Sequence, residues 1–194
     1  MNWYPADAYG ELSSDISAVL ITAEELHVRV QELGQELSRD YVGMTPLLVG
    51  VLKGVLTFLA DLERAIVIPI EIDCIAVSHY TSVGRGKGAV RILKDLEGSI
   101  RGRHVIFVED VIDTGLTANY LLRGLRSRDP ASLSVCVLFN KPHHRIIDVP
   151  MKYKGFDLPD RFVVGYGLDY RERYRNLPFV GLLEPAVLQG NSSE

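Results

Sequence analysis

Glu109, Asp110 and Asp113 are the residues with which the chain can do chemistry, because of what surrounds them in His104–Ala118, HVIFVEDVIDTGLTA. An apolar run, Val105-Ile106-Phe107-Val108, is short enough for one buried strand, and the first two acids follow it directly. Asp113 then precedes Thr114-Gly115-Leu116-Thr117 and a helical pattern that begins at Ala118. Ligands of open α/β sheets bind at strand carboxyl ends. Free N–H groups at a helix N-terminus favour an anion such as a phosphate. Thr114, Gly115 and Thr117 supply hydroxyls and N–H groups without bulk. Carboxylates beside such a loop suit Mg²⁺, a hard ion that prefers oxygen ligands. The stretch therefore reads as a site for a phosphorylated, polyhydroxylated ligand with a divalent metal. Successive side chains on an extended chain alternate, so Glu109 and Asp110 must serve different sides of it. Asp113 has two readings: an N-cap for the next helix, or a carboxylate over the reacting centre that moves a proton.

The elements that position this stretch follow from hydrophobic periodicity. A strand is expected near Ile16–Leu20. Thr22 and Glu25 form a capping box for a helix to about Arg39, with Leu26, Val28, Val30, Leu33 and Leu37 inward. Pro46–Leu52 reads as a buried parallel strand, and Val55–Ile66 as a helix. Ile68–Val77 alternates as a strand near the sheet margin, and the Gly-rich segment at about 79–88 reads as a mobile loop before strand Ala89–Leu93. Helix Leu116–Ser127 and strand Leu133–Phe139 come next. Three prolines suggest irregular structure over 142–161, and Phe162–Gly165 and Phe179–Leu183 look like short final strands. These alternations predict an α/β fold: a doubly wound, mainly parallel sheet flanked by helices, with a small appended subdomain. Function is expected on the loops after Leu52, Val77, Val108, Phe139 and Val164.

The chain's 194 residues suit a single domain, 1–194. A net charge of −4 argues against a nucleic-acid or membrane-surface partner. Cys74 and Cys136 each lie in an apolar run and read as buried thiols rather than a disulfide or metal pair. No apolar run approaches a membrane span, and the first residues lack a signal-peptide layout, so a cytoplasmic protein is expected. His143 and His144 have no further ligand nearby in sequence and read as surface residues.

VIFVEDVIDTGLTA resembles the phosphoribosyl-diphosphate signature of type I phosphoribosyltransferases, and more narrowly the hypoxanthine-guanine branch. Leu52-Lys53-Gly54, Asn140-Lys141-Pro142 and PDRFVVGYGLDYRERYRNLP at Pro159–Pro178 match that branch in order. The resemblance spans about residues 20–185. It implies transfer of the 5-phosphoribosyl group from phosphoribosyl diphosphate to N9 of hypoxanthine or guanine, with Mg²⁺ as cofactor and a homodimer or homotetramer as the assembly. Under it, Glu109 and Asp110 hold the ribose hydroxyls and help organise Mg²⁺. Asp113 serves as general base or acid near purine N7, and Thr114, Gly115, Leu116 and Thr117 wrap the 5′-phosphate. Lys53 and Gly54, with a non-proline cis peptide before one of them, bind diphosphate together with Arg175, and Tyr80 closes over it. Lys141 donates to the purine 6-oxo group, Phe162 stacks on the ring, and Val163 and Asp169 read the base edge. Asp169 also serves Mg²⁺ through water. The N-terminal segment and about 142–185 form a hood. Read singly, Lys141 and Arg175 would be solvated charges, Phe162 core, and Asp169 a turn cap at Tyr170; their joint occurrence in order raises them. The chain departs from the pattern at His79, where relatives carry Ser, and at Leu116, where some carry Lys. A xanthine-preferring enzyme and a non-catalytic nucleotide sensor are the alternatives.

Overall fold

The computed structural model describes residues 9–80 and 89–189. The expected mobile loop, and the side chains of His79 and Tyr80, lie outside the described residues. A short helix α1 (Glu11–Ser14) leads into strand β1 (Ile16–Ile21). The capping box at Thr22 is formed: its N–H donates to Glu25 Oε2 at 2.8 Å, and the Glu25 N–H donates back to Thr22 Oγ1 at 3.2 Å. It opens helix α2 (Ala23–Asp40). Strand β2 (Leu47–Leu52), helix α3 (Leu56–Ala65), strand β3 (Glu71–Tyr80) and strand β4 (Ala89–Lys94) follow. Then come strand β5 (His104–Ile112), helix α4 (Leu116–Arg126), strands β6 (Ser132–Asn140), β7 (Tyr153–Asp157), β8 (Val163–Val164) and β9 (Val180–Leu183), and helix α5 (Pro185–Gln189).

The main sheet has the order β4-β3-β2-β5-β6-β7, parallel except for the β3–β4 pair at one edge. A separate antiparallel sheet, β1-β9-β8, joins the N-terminal segment to the last strands. The main sheet is covered on both faces, and strand alternation decides which residue goes where. Ile106 and Val108 of β5, with Leu48 of β2, pack beneath α2 and α3. Val105 and Phe107, with Val49 and Val51, pack beneath α4 with Leu121, Leu122 and Leu125. Gly34 of α2 lets the two helices on the first face approach closely, since a Cβ there would meet the Ala65 backbone at 2.6 Å.

Four expectations are corrected. Val28 is 51 % exposed, because it lies about 200° around the helix from the buried Leu26; Gly34 and Ser38 complete the inner face instead. Strand β3 starts at Glu71 rather than Ile68. Strand β5 continues to Ile112, so Glu109 and Asp110 lie within the strand and Asp113 is the first residue beyond it. The segment 142–161 is not wholly irregular: β7 adds a sixth, parallel strand beside β6. Its Tyr153-Lys154-Gly155-Phe156-Asp157 lacks a continuous apolar run because β7 is an edge strand.

Candidate active site

Three neighbouring cavities with shared lining residues lie at the carboxyl ends of β2, β5 and β6 and against the segment between β8 and β9. The largest, about 450 Å³, is lined by Lys53, Gly54, Glu109, Asp110, Asp169 and Arg175, among others. A second, about 120 Å³, sits at the start of α4 against Glu109, Asp113, Thr114, Gly115 and Thr117. A third, about 210 Å³, is bounded by Asp110, Asp113, Lys141, Phe162, Val163 and Asp169. Glu109 lines the cavity at α4 and Asp110 the one beneath Phe162, as alternation along β5 requires. Another cavity, about 410 Å³, lies away from these strand ends, between α4 and the β3–β4 edge, and contains none of the acids.

The loop after β5 is shaped for a ligand rather than for capping. The N-cap of α4 is Gly115, at φ +81°, and no side chain caps the helix. Asp113 is therefore not a helix cap. A Cβ on Gly115 would overlap the Ile147 carbonyl, so the position needs glycine for space as well as for backbone conformation. The loop is braced from behind. Ile146 and Ile147 N–H groups donate to the Thr114 carbonyl at 2.9 and 3.0 Å. Arg145 donates from Nε to the Asp113 carbonyl at 2.9 Å and from Nη2 to the Ile112 carbonyl at 3.0 Å and to Asn140 Oδ1. Leu116 is 47 % exposed and lines none of the three cavities; its N–H donates to Thr114 Oγ1 at 3.4 Å.

Burial sets the state of the two acids in β5. Glu109 is only 7 % exposed, and no hydrogen bond or ion pair from the described residues reaches its carboxylate. Burial, and secondarily the Asp110 charge, hold its pKa well above the usual carboxylate range. Asp110 is raised to about 6, chiefly by burial, while the Val111 N–H donating to Oδ1 at 2.9 Å opposes the rise. Gly54 passes directly over Asp110, and a Cβ there would overlap its carboxylate. The Leu52–Lys53 peptide bond is cis, as expected for one of the bonds before Lys53 or Gly54.

The opposite wall carries paired charges. Arg175 donates from Nη1 to the Gly167 carbonyl at 2.8 Å, and its Nη2 lies 2.8 Å from Asp169 Oδ1. Its Nε is buried without a partner among the described residues. Asp169 also accepts from the Glu172 N–H at 2.9 Å, so it is the turn cap considered for it as well as a lining residue. Glu172 sits 3.2 Å from Lys53 and 3.5 Å from Arg175. It stands outside the sequence expectation: nothing in Arg171-Glu172-Arg173 distinguishes it from a solvated charge. Tyr166, Arg171, Glu172 and Tyr174 all adopt left-handed backbone without being glycine, a strain that such functional walls tend to hold. Lys141 extends its ammonium to the Arg161 carbonyl at 2.9 Å, and Phe162, 44 % exposed, meets Tyr170 edge-on at 5.4 Å. Phe162 is thus at the surface rather than in the core.

The donor set fits Mg²⁺: Glu109, Asp110 and Asp169 offer only oxygen, and the first two are buried acids that a nearby cation would compensate. Among the described residues no three His, Cys, Asp or Glu side chains are grouped to hold an ion by themselves. That agrees with an ion that keeps waters and takes ligand oxygens.

The family model "Phosphoribosyl transferase domain" matches residues 21–171. A hypoxanthine-guanine phosphoribosyltransferase of Mycobacterium avium is 49 % identical over 95 % of this chain and 93 % of its own length. One from Bacillus subtilis is 47 % identical over 92 % of this chain and 99 % of its own. The solved hypoxanthine phosphoribosyltransferase of Staphylococcus aureus is 43 % identical and superposes with a TM-score of 0.86, covering 91 % of this chain and 96 % of that one.

Proposed function

The chain belongs to the phosphoribosyltransferase family, and from that premise we propose that it is a purine salvage transferase. It moves the 5-phosphoribosyl group from phosphoribosyl diphosphate to N9 of hypoxanthine or guanine, giving IMP or GMP and diphosphate. The observation that carries this reading is that two neighbouring cavities share Asp113 as a lining residue. An aromatic face with a lysine donor lies on one side of Asp113 and a glycine-capped helix start on the other.

The residues divide the work by position. The 5′-phosphate takes the N–H groups and hydroxyls of Thr114–Thr117. Glu109 and Asp110 accept from the ribose hydroxyls. The diphosphate faces Lys53, Gly54 and Arg175, the last a planar donor suited to phosphate oxygens. The purine stacks on Phe162, its 6-oxo group accepts from Lys141, and the backbone of Val163 and Asp169 meets the base edge. Asp113, beside both cavities, takes the proton that the purine sheds as N9 bonds to C1′. Glu109, Asp110 and Asp169 would hold Mg²⁺, whose positive charge would be supplied to the leaving diphosphate. Otherwise catalysis is positioning and electrostatics: two reactants held in line and water kept out.

A spectrophotometric assay with phosphoribosyl diphosphate, Mg²⁺ and each of hypoxanthine, guanine, xanthine and adenine tests this. Turnover is expected with hypoxanthine and guanine. Absence of turnover with every purine would overturn the reading, and a preference for xanthine would revise the substrate.

A further inference from the structure

We infer that His144 is a positioning and proton-exit residue for Asp113, linking it through an Asp113–His144–Asp160 bridge to solvent. The inference rests on the reading of Asp113 as the group that takes the purine proton. His144 ends the 3-10 turn Pro142–His144, directly after Lys141. Its Nδ1 lies 3.3 Å from Asp113 Oδ1 and its Nε2 lies 2.7 Å from Asp160 Oδ1. Asp113 Oδ1 is buried and accepts no aligned hydrogen bond among the described residues. The 3.3 Å contact is thus one of distance without alignment, as catalytic contacts often are before substrate tightens them. The enclosure is confined to that atom: the Asp113, His144 and Asp160 side chains are 45 %, 49 % and 56 % exposed, so Oδ1 faces His144 while the rest of the bridge meets solvent. The neighbouring cations are engaged elsewhere. Arg145 donates to the Ile112 and Asp113 carbonyls and to Asn140, and Lys141 donates to the Arg161 carbonyl. The charged groups within ion-pair distance of the ring are therefore the two carboxylates.

The step balances as follows. The purine proton passes to the Asp113 carboxylate as the N9–C1′ bond forms, and the C1′–O bond breaks with its electron pair going to diphosphate. In the same step the proton that Asp113 receives is passed from Oδ1 to His144 Nδ1, while Nε2 releases its own proton to Asp160 or water. Asp113 is thereby returned as a carboxylate.

The test is single-turnover transfer from phosphoribosyl diphosphate to hypoxanthine in weak buffer, from about pH 5.5 to 9. Single turnover isolates chemistry from product release, which can otherwise set kcat. His144→Gln should slow that step about tenfold and flatten its pH profile, with KM for both substrates within about twofold. Added imidazole should restore most of the rate in His144→Ala, which a merely structural loss would not allow. In an Asp113→Asn background, His144→Gln should cost nothing further. An unchanged rate and pH profile, a rise in KM matching the loss in rate, or failure of imidazole rescue would each overturn the inference. Failure of the Asp113 reading is distinct: Asp113→Asn itself would then keep the wild-type rate.

Discussion

Glu109 and Asp110, on the β5 wall of the cleft, are buried and make no ion pair among the described residues, whereas Asp169 and Glu172, on the facing wall, each rest against a basic side chain. The first pair costs the fold free energy whenever it is ionised, since burial penalises the charged form. The second pair is neutralised in place, with Asp169 partly and Glu172 largely exposed, so it costs little. The difference teaches where a ligand must do the compensating. Under the proposed function, a cation and ribose hydroxyls would have most to gain beside β5, while the facing wall would have to be pried from its own partners before Arg175 or Lys53 could meet a phosphate.

Substitutions can break or sharpen this contrast, and the largest effect belongs to the residue that the two walls share a substrate over. Asp113→Asn should lower the single-turnover rate by about 10²–10³-fold while nucleotide affinity, read by calorimetry, changes little. Glu109→Gln should act in opposite directions on stability and function. Without Mg²⁺ it should stabilise the fold by about 1–3 kcal/mol, seen as a higher melting temperature. It should also weaken the stabilisation that Mg²⁺ and phosphoribosyl diphosphate bring to the wild type. A melting temperature below wild type would mean that the buried acid is satisfied within the protein.

Asp110 gives the pH form of the same argument. Its pKa rises on folding, so the folded chain binds its proton more tightly than the unfolded one. Its contribution to unliganded stability is greatest below the ordinary value near 3.8 and is lost as pH rises through about 6. Denaturant titrations between those limits should show the decline, and Asp110→Asn should remove that part of it. Phe162→Ala should weaken purine binding by about 1–3 kcal/mol, the worth of one stacked base, with phosphoribosyl diphosphate binding unaffected. Glu172→Gln should be smallest, under about 1 kcal/mol in stability, because Glu172 and its nearer partner Lys53 are both exposed. A large loss there would show that the facing wall is not the self-neutralised surface its exposure suggests.

Legibility in the sequence followed locality. Glu109, Asp110, Asp113 and the Thr114–Thr117 turn are contiguous, and their chemistry could be read from an apolar run, a small polar turn and a helical pattern. The capping box at Thr22 was legible for the same reason, as its partners are three residues apart. Lys141, Phe162 and Asp169 gained meaning only as an ordered set matching a family. Edge strand β7 was missed because one covered face leaves no continuous apolar run. Val28 was misplaced by counting it into a stripe that the helical repeat excludes.

By itself the sequence determined that an acidic pair and a third acid stand at a strand-to-helix turn, in an α/β chain with the order of elements that a parallel sheet needs. Only the tertiary structure decided their states. It buried Glu109 and Asp110 without ion pairs, drew Arg175 to Asp169, set Glu172 between Lys53 and Arg175, and put His144 between Asp113 and Asp160. The physical reason is range. Periodicity and turn chemistry act over a few residues, whereas burial and charge pairing depend on which distant segments the sheet order brings to one edge.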